Sequence, residues 1–284
     1  MAMSDFAFVQ FEFPFSLGPE DGRYVLRGPA GLPSHVLVLN TLGAAERRGM
    51  RRRPKQKDAP PEPPPTMVPT TRATLVHAEP LPEGDQWSPG DDPDAEVLAA
   101  LRVLNSALHA HRTAAMDPHI REVGRSQALV VRLGVGDGEQ VADGKWKKAV
   151  ELAPVVRGRR ESARAGALRP QERLAALLSG RDVALAAEEL TLRARLDLDA
   201  GRGREAALQL RVALEAALAE LVPWSDRSDI RSRLTELTEA RGAVGAAANA
   251  ALQGGLDDAT TATVERVVSR IESALRARVG PGLD

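Results

Sequence analysis

FAFVQFEFPF, residues 6–15, contains all five phenylalanines of the 284-residue chain. Large apolar side chains must be covered by a core, a partner or lipid, so this segment marks a place where the fold is built. The near alternation of apolar residues predicts a β-strand. Because the alternation changes phase between Phe8 and Phe11, we expect a bulge or bend there and aromatic side chains on both faces. We predict that Phe8 or Phe11 packs on the first long helix, and that phenylalanines on the other face meet the second domain or a partner.

The residues that follow this strand predict a hairpin. Gly18–Gly22 has the composition of a turn, and Arg23–Arg27 then reads as the returning strand. A third apolar run, His35–Leu39, is nearly continuous, which is typical of a strand covered on both faces. Pro14 cannot donate to a ladder, so the first strand should end near it or lie at an edge.

A strand, a helix and a strand follow between residues 71 and 133. Thr71–His77 and Gln127–Leu133 have strand composition, and between them apolar residues recur at helical spacing, at Val97, Leu101, Leu104 and Leu108. This order predicts a crossover unit. Asp143-Gly144 predicts the turn of one more hairpin.

The second half of the chain is almost entirely helix-forming from Pro170 onward. We therefore predict an α+β fold with two domains. Residues 1–153 form a mixed β-sheet domain with one main helix, residues 154–167 form a linker, and residues 168–284 form a helical bundle. On the last helix the stripe from 264 to 275 should pack on the preceding three helices; if it is exposed, a homodimer through it is the alternative.

Composition limits the possible functions. The chain has no cysteine, which excludes disulfides, thiolate metal ligands and a cysteine nucleophile. Its net charge is −1, so the overall field gives no reason to expect nucleic acid or an anionic membrane as an obligatory partner. No segment has the length of a signal peptide or membrane span. We predict a cytoplasmic protein without a membrane contact, cofactor or metal ion.

Residues 44–69 interrupt the strand pattern with a basic and proline-rich composition that predicts a disordered loop. This loop can contact nucleic acid through counterion release, but it lacks interleaved aromatic residues for stacking on bases. A solvated loop is the other interpretation, and it makes nucleic acid an unlikely partner. The basic residues are Arg47, Arg48, Arg51, Arg52, Arg53, Lys55 and Lys57.

The segment 187–220 resembles a single tetratricopeptide repeat. The resemblance rests on the size and spacing of six residues: Leu190, Ala194, Gly201, Ala206, Leu210 and Ala213. It implies a helical hairpin that binds another protein and performs no chemistry. On that resemblance, Arg193, Asp197 and Arg204 lie on or near the partner-binding face.

An enzymatic alternative comes from two histidines. The run from His35 to Gly43 resembles one motif of the two-histidine phosphoesterases, in which two strands each present a histidine to a 2',3'-cyclic phosphate. The resemblance implies that His35 and His77 act as base and acid. That family has a hydroxyl two residues after each histidine, whereas this chain has Leu37 and Glu79. We therefore expect a non-catalytic interaction or assembly protein, with phosphoester chemistry as the alternative.

A glycine-rich loop follows the strand that ends near residue 133. Its spacing, Gly134-x-Gly136-x-Gly138, is not that of a dinucleotide-binding loop, and no helix pattern follows it. We interpret these glycines as turn residues.

Overall fold

The structure, a computed structural model, describes residues 4–28, 30–43, 69–82, 87–90, 92–153 and 170–279. The chain divides into two compact units, Met1–Val156 and Arg157–Asp284. Two predicted segments, residues 44–68 of the basic loop and residues 154–167 of the linker, lie outside the described residues. An antiparallel sheet followed by a mostly helical region confirms the α+β class.

The first unit is a six-stranded sheet with one long helix. Its elements are β1 (Phe6–Phe13), β2 (Gly22–Arg27), β3 (Pro33–Leu42), β4 (Thr70–His77), α1 (Pro93–Ala115), β5 (Val130–Gly136) and β6 (Lys148–Glu151). The strand order is β2-β3-β4-β1-β5-β6, and each neighbouring pair is antiparallel. The predicted β4-α1-β5 crossover is confirmed, but β1 lies between its two strands. Within the described residues the strands therefore pair only in antiparallel fashion, whereas a direct crossover would have made the sheet mixed.

The predicted hairpin between β1 and β2 is wrong. Strand β1 pairs with β4 and β5, whereas β2 pairs only with β3 and forms one edge of the sheet. Side-chain burial explains why β1 is an interior strand and β2 an edge strand. Strand β1 is buried along most of its length and needs a neighbour on each side. In β2, Tyr24 and Val25 are exposed, as an edge strand tolerates. The predicted hairpin of β5 with β6 is present.

Strand β1 places aromatic side chains on both of its faces without a bulge. Its register with both neighbours is continuous, so the two faces follow strict alternation. Phe11 and Phe13 pack with the apolar face of α1, which confirms that part of the prediction. Phe8 points to the other face, where it contacts Val141 and Trp146 of the same unit. The expectation that this face meets the second domain or a partner is therefore wrong for Phe8.

Two glycines of β5 make room for these contacts. A Cβ atom built on Gly134 lies 2.5 Å from the carbonyl oxygen of Lys148 and 2.7 Å from the ring of Phe8. A Cβ atom on Gly136 lies 2.6 Å from the side chain of Val141. Both are strand residues, so they serve close packing between strands and aromatic rings instead of forming a turn.

A polar network crosses the sheet on the face opposite α1. Glu12 Oε1 accepts hydrogen bonds from Arg72 Nη2 and Arg132 Nη1, both at 2.9 Å. Gln10 is fully buried, accepts from Arg132 Nη1 at 3.1 Å and donates to Thr74 Oγ1 at 3.0 Å. Burial alone would raise the pKa of Glu12, but the hydrogen bonds from Arg132 and Arg72 outweigh it and lower that pKa. The network thus links the three central strands β4, β1 and β5.

The second unit is a bundle of antiparallel helices preceded by one short helix. Its elements are α2 (Pro170–Leu178), α3 (Ala186–Asp199), α4 (Gly203–Glu220), α5 (Ser228–Gln253) and α6 (Asp258–Val279). Helix α6 contacts α3, α4 and α5, so the predicted packing of the last helix on its three predecessors is present. The stripe from 264 to 275 is buried in this core, and a homodimer through it would require the bundle to open.

Two polar contacts fix the ends of the helices in this bundle. The carboxylate of Glu220, at the end of α4, accepts hydrogen bonds from the first backbone N–H groups of α3, those of Ala186 and Ala187. At the end of α6, Arg278 is buried, donates to Asp182 Oδ1 at 2.6 Å and lies 4.8 Å from the ring centre of Trp224. In the part of the chain that the structure describes, no helix is long and apolar enough to cross a lipid bilayer.

We expect Gly134→Ala to destabilise the protein by about 1–3 kcal/mol, because its Cβ would overlap a backbone oxygen that cannot move without disturbing β6. The free energy of unfolding in urea measures this loss. Gly124→Ala is the matched control, since its Cβ would have one neighbour, at 3.8 Å, and should change stability little. Equal stability of the two variants would contradict the close packing described for β5.

Candidate functional site

The structure brings the two histidines of the enzymatic alternative together. His35 on β3 and His77 on β4 are directly paired in the ladder, and their ring centres are 4.7 Å apart. Each lies two residues from a leucine that packs in the α1 core, so both histidines belong to the sheet face that carries α1. Two rings at this separation can exchange a proton directly or through one water.

The surroundings of the pair make one histidine harder to protonate. Burial, with a smaller contribution from the charge of His77, lowers the pKa of His35. Its Nδ1 atom is buried and has no hydrogen-bond partner among the described residues. Glu96, in the first turn of α1, is the carboxylate that interacts electrostatically with His77; burial raises the pKa of Glu96, and His77 opposes this rise. The site therefore holds two imidazoles and one acid.

The positions that bind the phosphate through a hydroxyl in the two-histidine phosphoesterases have no hydroxyl group in this chain. Leu37 is only 1% exposed and packs in the core under α1, so nothing at that position can donate to an anion. Glu79 is exposed and carries a negative charge, which repels a phosphate. The histidine pair has the geometry for proton transfer but lacks the anion-binding groups that the resemblance requires.

A second site, which we call the α6 groove, runs along the outer face of α6 and is flanked by α5. The groove has a volume of about 500 Å³. It is lined by Arg233 and Glu236 of α5 and by Ala262, Glu265, Arg266, Ser269, Arg270 and Ser273 of α6. The α6 residues recur at intervals of three and four, so they form one continuous face of that helix. The lining combines three small residues with five long charged ones.

The arginines of the α6 groove are incompletely paired. Arg270 Nε is 3.8 Å from Glu236 Oε2, too far for a hydrogen bond. Among the described residues, Arg233 and Arg266 have no ion-pair partner, and the Nε atom of Arg233 is buried without a hydrogen bond. Buried donors in folded proteins are normally satisfied, so the Arg233 guanidinium has hydrogen-bonding capacity that no described residue uses. Three arginines and two glutamates leave the groove with a positive charge.

The residues expected on a partner-binding face make contacts within the bundle. Arg193 pairs with Glu189 one turn earlier on α3, and both side chains are more than half exposed. Asp197 accepts from Arg202 at 2.8 Å, and Arg204 donates to the carbonyl oxygen of Ala251 at 2.9 Å. The last two contacts join parts of the bundle, and Arg193 and Arg204 are both exposed.

The tetratricopeptide-like hairpin corresponds to α3 and α4. Its small residues Ala194, Ala206 and Ala213 are fully buried, and Gly201 has φ +75° in the turn between the helices. Helix α6, however, also packs on α3, which closes the helices into a bundle; a solenoid repeat contacts only its neighbours. No protein-family model, no curated protein and no solved structure matches the chain.

Two further candidates from the sequence are the basic cluster and the three histidines considered as metal ligands. The basic cluster of the nucleic-acid alternative, residues 47–57, is not described. His109 and His111 lie on α1, and His119 lies in the loop after it. Within the described ranges, no three His, Asp or Glu side chains are grouped so that they could hold a metal ion.

We expect the stability of the first unit to fall on acidification because of His35. Above about pH 6.5 neither state protonates this residue; below it the unfolded chain takes up a proton while folded His35, with its lowered pKa, does not. Stability is therefore lost as the pH falls from 6.5 toward the folded pKa. The raised pKa of Glu96 acts in the opposite direction, since protonation of Glu96 stabilises the folded state as the pH falls through that pKa.

The measurement is the free energy of unfolding in urea between about pH 7.5 and pH 5.5 for the wild type and His35→Gln. The variant should lose less stability than the wild type over this range. His119→Gln, an exposed histidine, is the control and should behave like the wild type. Parallel pH profiles for the wild type and His35→Gln would contradict the environment described for His35.

Proposed function

We propose that the protein is a non-catalytic interaction protein and that its helical unit binds an acidic segment of another protein in the α6 groove. The observation that carries this proposal is the pair of arginines, Arg233 and Arg266, that lack an ion-pair partner among the described residues. A carboxylate of a bound segment would pair with the guanidinium groups of these two arginines. The cytoplasmic location predicted from the sequence is part of the proposal.

The charge pattern of the groove favours a peptide over a nucleic acid. Glu236 and Glu265 line the groove together with the arginines, and a continuous row of phosphates would meet these carboxylates as well as the guanidinium groups. A peptide can place acids at separate positions and leave neutral residues opposite the glutamates. The lining also includes the small residues Ala262, Ser269 and Ser273, beside which the backbone of such a segment can approach α6 closely.

We expect the double variant Arg233→Gln with Arg266→Gln to weaken the binding of an acidic peptide about tenfold, because each lost charge pair contributes modestly at a partly exposed site. The probe is a short fluorescein-labelled peptide of alternating Glu and Ser, and fluorescence anisotropy with the full chain measures the affinity. Raising the salt concentration should weaken binding to the wild type more than binding to the variant.

The control is the double variant Arg211→Gln with Arg241→Gln, which removes the same charge from helices α4 and α5 outside the groove. Arg211 is exposed, and Arg241 pairs with Glu215 on the surface. This control should bind the peptide as the wild type does. Equal weakening in both double variants would show that only net charge matters and would contradict a site in the groove.

The second candidate function is phosphoester chemistry at His35 and His77, supported by the 4.7 Å separation of their rings. Under the interaction proposal, His77→Ala leaves peptide binding unchanged. The wild type should not hydrolyse a 2',3'-cyclic nucleotide above background, because Leu37 and Glu79 offer no anion site. Product formation followed by chromatography tests this expectation. Hydrolysis by the wild type that is lost in His77→Ala would overturn the non-catalytic assignment.

A further inference from the structure

The face of the sheet opposite α1 carries a groove whose lining includes His77 but whose charged residues belong to neither candidate function. It lies between strands β2 to β4 and the short 3-10 helix Gly138–Asp143, and its volume is about 820 Å³. Its floor is lined by Phe6, Val36, Val38 and Val76. Val38 and Val76 are buried, so Phe6 and Val36 supply the apolar surface that a ligand can contact. We call this the sheet groove.

The sheet groove has the dimensions of an extended peptide. It follows β3 from Val36 to Asn40, a length of about 13 Å at the rise of a β-strand, which corresponds to about four residues of extended chain. The valines of its floor are aligned across neighbouring strands, since Val36 of β3 is paired with Val76 of β4 and with Val25 of β2. Val25 is 57% exposed, so the apolar surface continues to the edge of the sheet.

The charges on the wall of the sheet groove are negative at its two ends. Asp137 precedes the 3-10 helix and Asp143 ends it, so the rise of that helix places the two backbones about 12 Å apart. Neither carboxylate has an ion-pair partner among the described residues. Between them, Glu139 is neutralised by its ion pair with Arg23. The groove thus presents two unpaired negative charges separated by a neutral centre.

We propose that the sheet groove binds an extended, basic segment of a partner protein, with two Lys or Arg residues three or four positions apart and small apolar residues between them. The basic side chains pair with Asp137 and Asp143, and the residues between them cover Phe6 and Val36, the partly exposed apolar side chains of the floor. An extended chain advances about 10–13 Å over three or four residues, which matches the separation of the two aspartates. Anionic ligands are repelled by the same carboxylates.

The test measures the binding of a fluorescein-labelled peptide, in which two lysines flank three small apolar residues, to the full chain. The double variant Asp137→Asn with Asp143→Asn should bind about tenfold more weakly, and added salt should weaken the binding of the wild type. Asparagine keeps the side-chain volume, and Asp137 makes no capping hydrogen bond to the 3-10 helix, so the variant should keep the fold. The control Glu20→Gln with Glu79→Gln removes two exposed carboxylates outside the sheet groove and should bind as the wild type does.

Three results would overturn the proposal. One is equal affinity of the aspartate variant and the wild type, with unchanged urea unfolding curves for both. Another is equally tight binding of a peptide with glutamates in place of the lysines. The third is a concentration-dependent dimer of the peptide-free protein in sedimentation that the aspartate variant abolishes, because the groove would then be occupied by a second copy of this chain. Weaker binding in the variant alone, with a monomeric wild type, supports the proposal.

Discussion

Burial of both faces of β1 is the constraint on which the first unit depends. Phe11 and Phe13 need the apolar face of α1, whereas Phe8 needs the pocket formed by Gly134, Val141 and Trp146. A strand with this requirement is stable only in the interior of a sheet, with a neighbour on each side. The chain therefore inserts β1 between the two strands of the β4-α1-β5 crossover, and β2 takes the edge.

The polar residues of β1 make its register specific. A shift of one residue would carry Gln10 and Glu12 to the α1 face, where no partner for them exists among the described residues, and would separate Glu12 from Arg72 and Arg132. Leaving a buried carboxylate without its partners is strongly unfavourable. The aromatic residues provide the burial, and the Glu12 network excludes the alternative pairings that aromatic burial alone would permit.

Local sequence patterns predicted most of the elements but not their partners. The spacing of apolar residues predicted α1, the crossover and the last helix within a few residues, because this information lies within each segment. The position of β1 depends on hydrogen bonds such as Arg132 to Glu12, which join residues 120 apart in sequence. A turn composition at Gly18–Gly22 favoured pairing β1 with β2, and tertiary burial overrode it.

For the candidate sites, too, local patterns indicated single residues but not which residues come together in the fold. The resemblance of the His35–Gly43 run to a two-histidine motif pointed to His35 and His77, but their direct pairing depends on the β3–β4 register. The α6 groove was missed, since its arginines come from two helices and only those of α6 recur at helical spacing. A search for charged residues on the polar face of the amphipathic helix α6 would have found Arg266 and Arg270, but Arg233 required the antiparallel packing of α5.

Although the net charge of the chain is near zero, its two grooves have charges of opposite sign. The α6 groove carries three arginines against two glutamates, and the sheet groove carries two unpaired aspartates. At physiological ionic strength, interactions between exposed charges are screened beyond about 8 Å, so a partner responds to the charges that line a groove and not to the total. The formal charge of −1 therefore argues against long-range steering, while it leaves open short-range recognition of an acidic segment in one unit and a basic segment in the other.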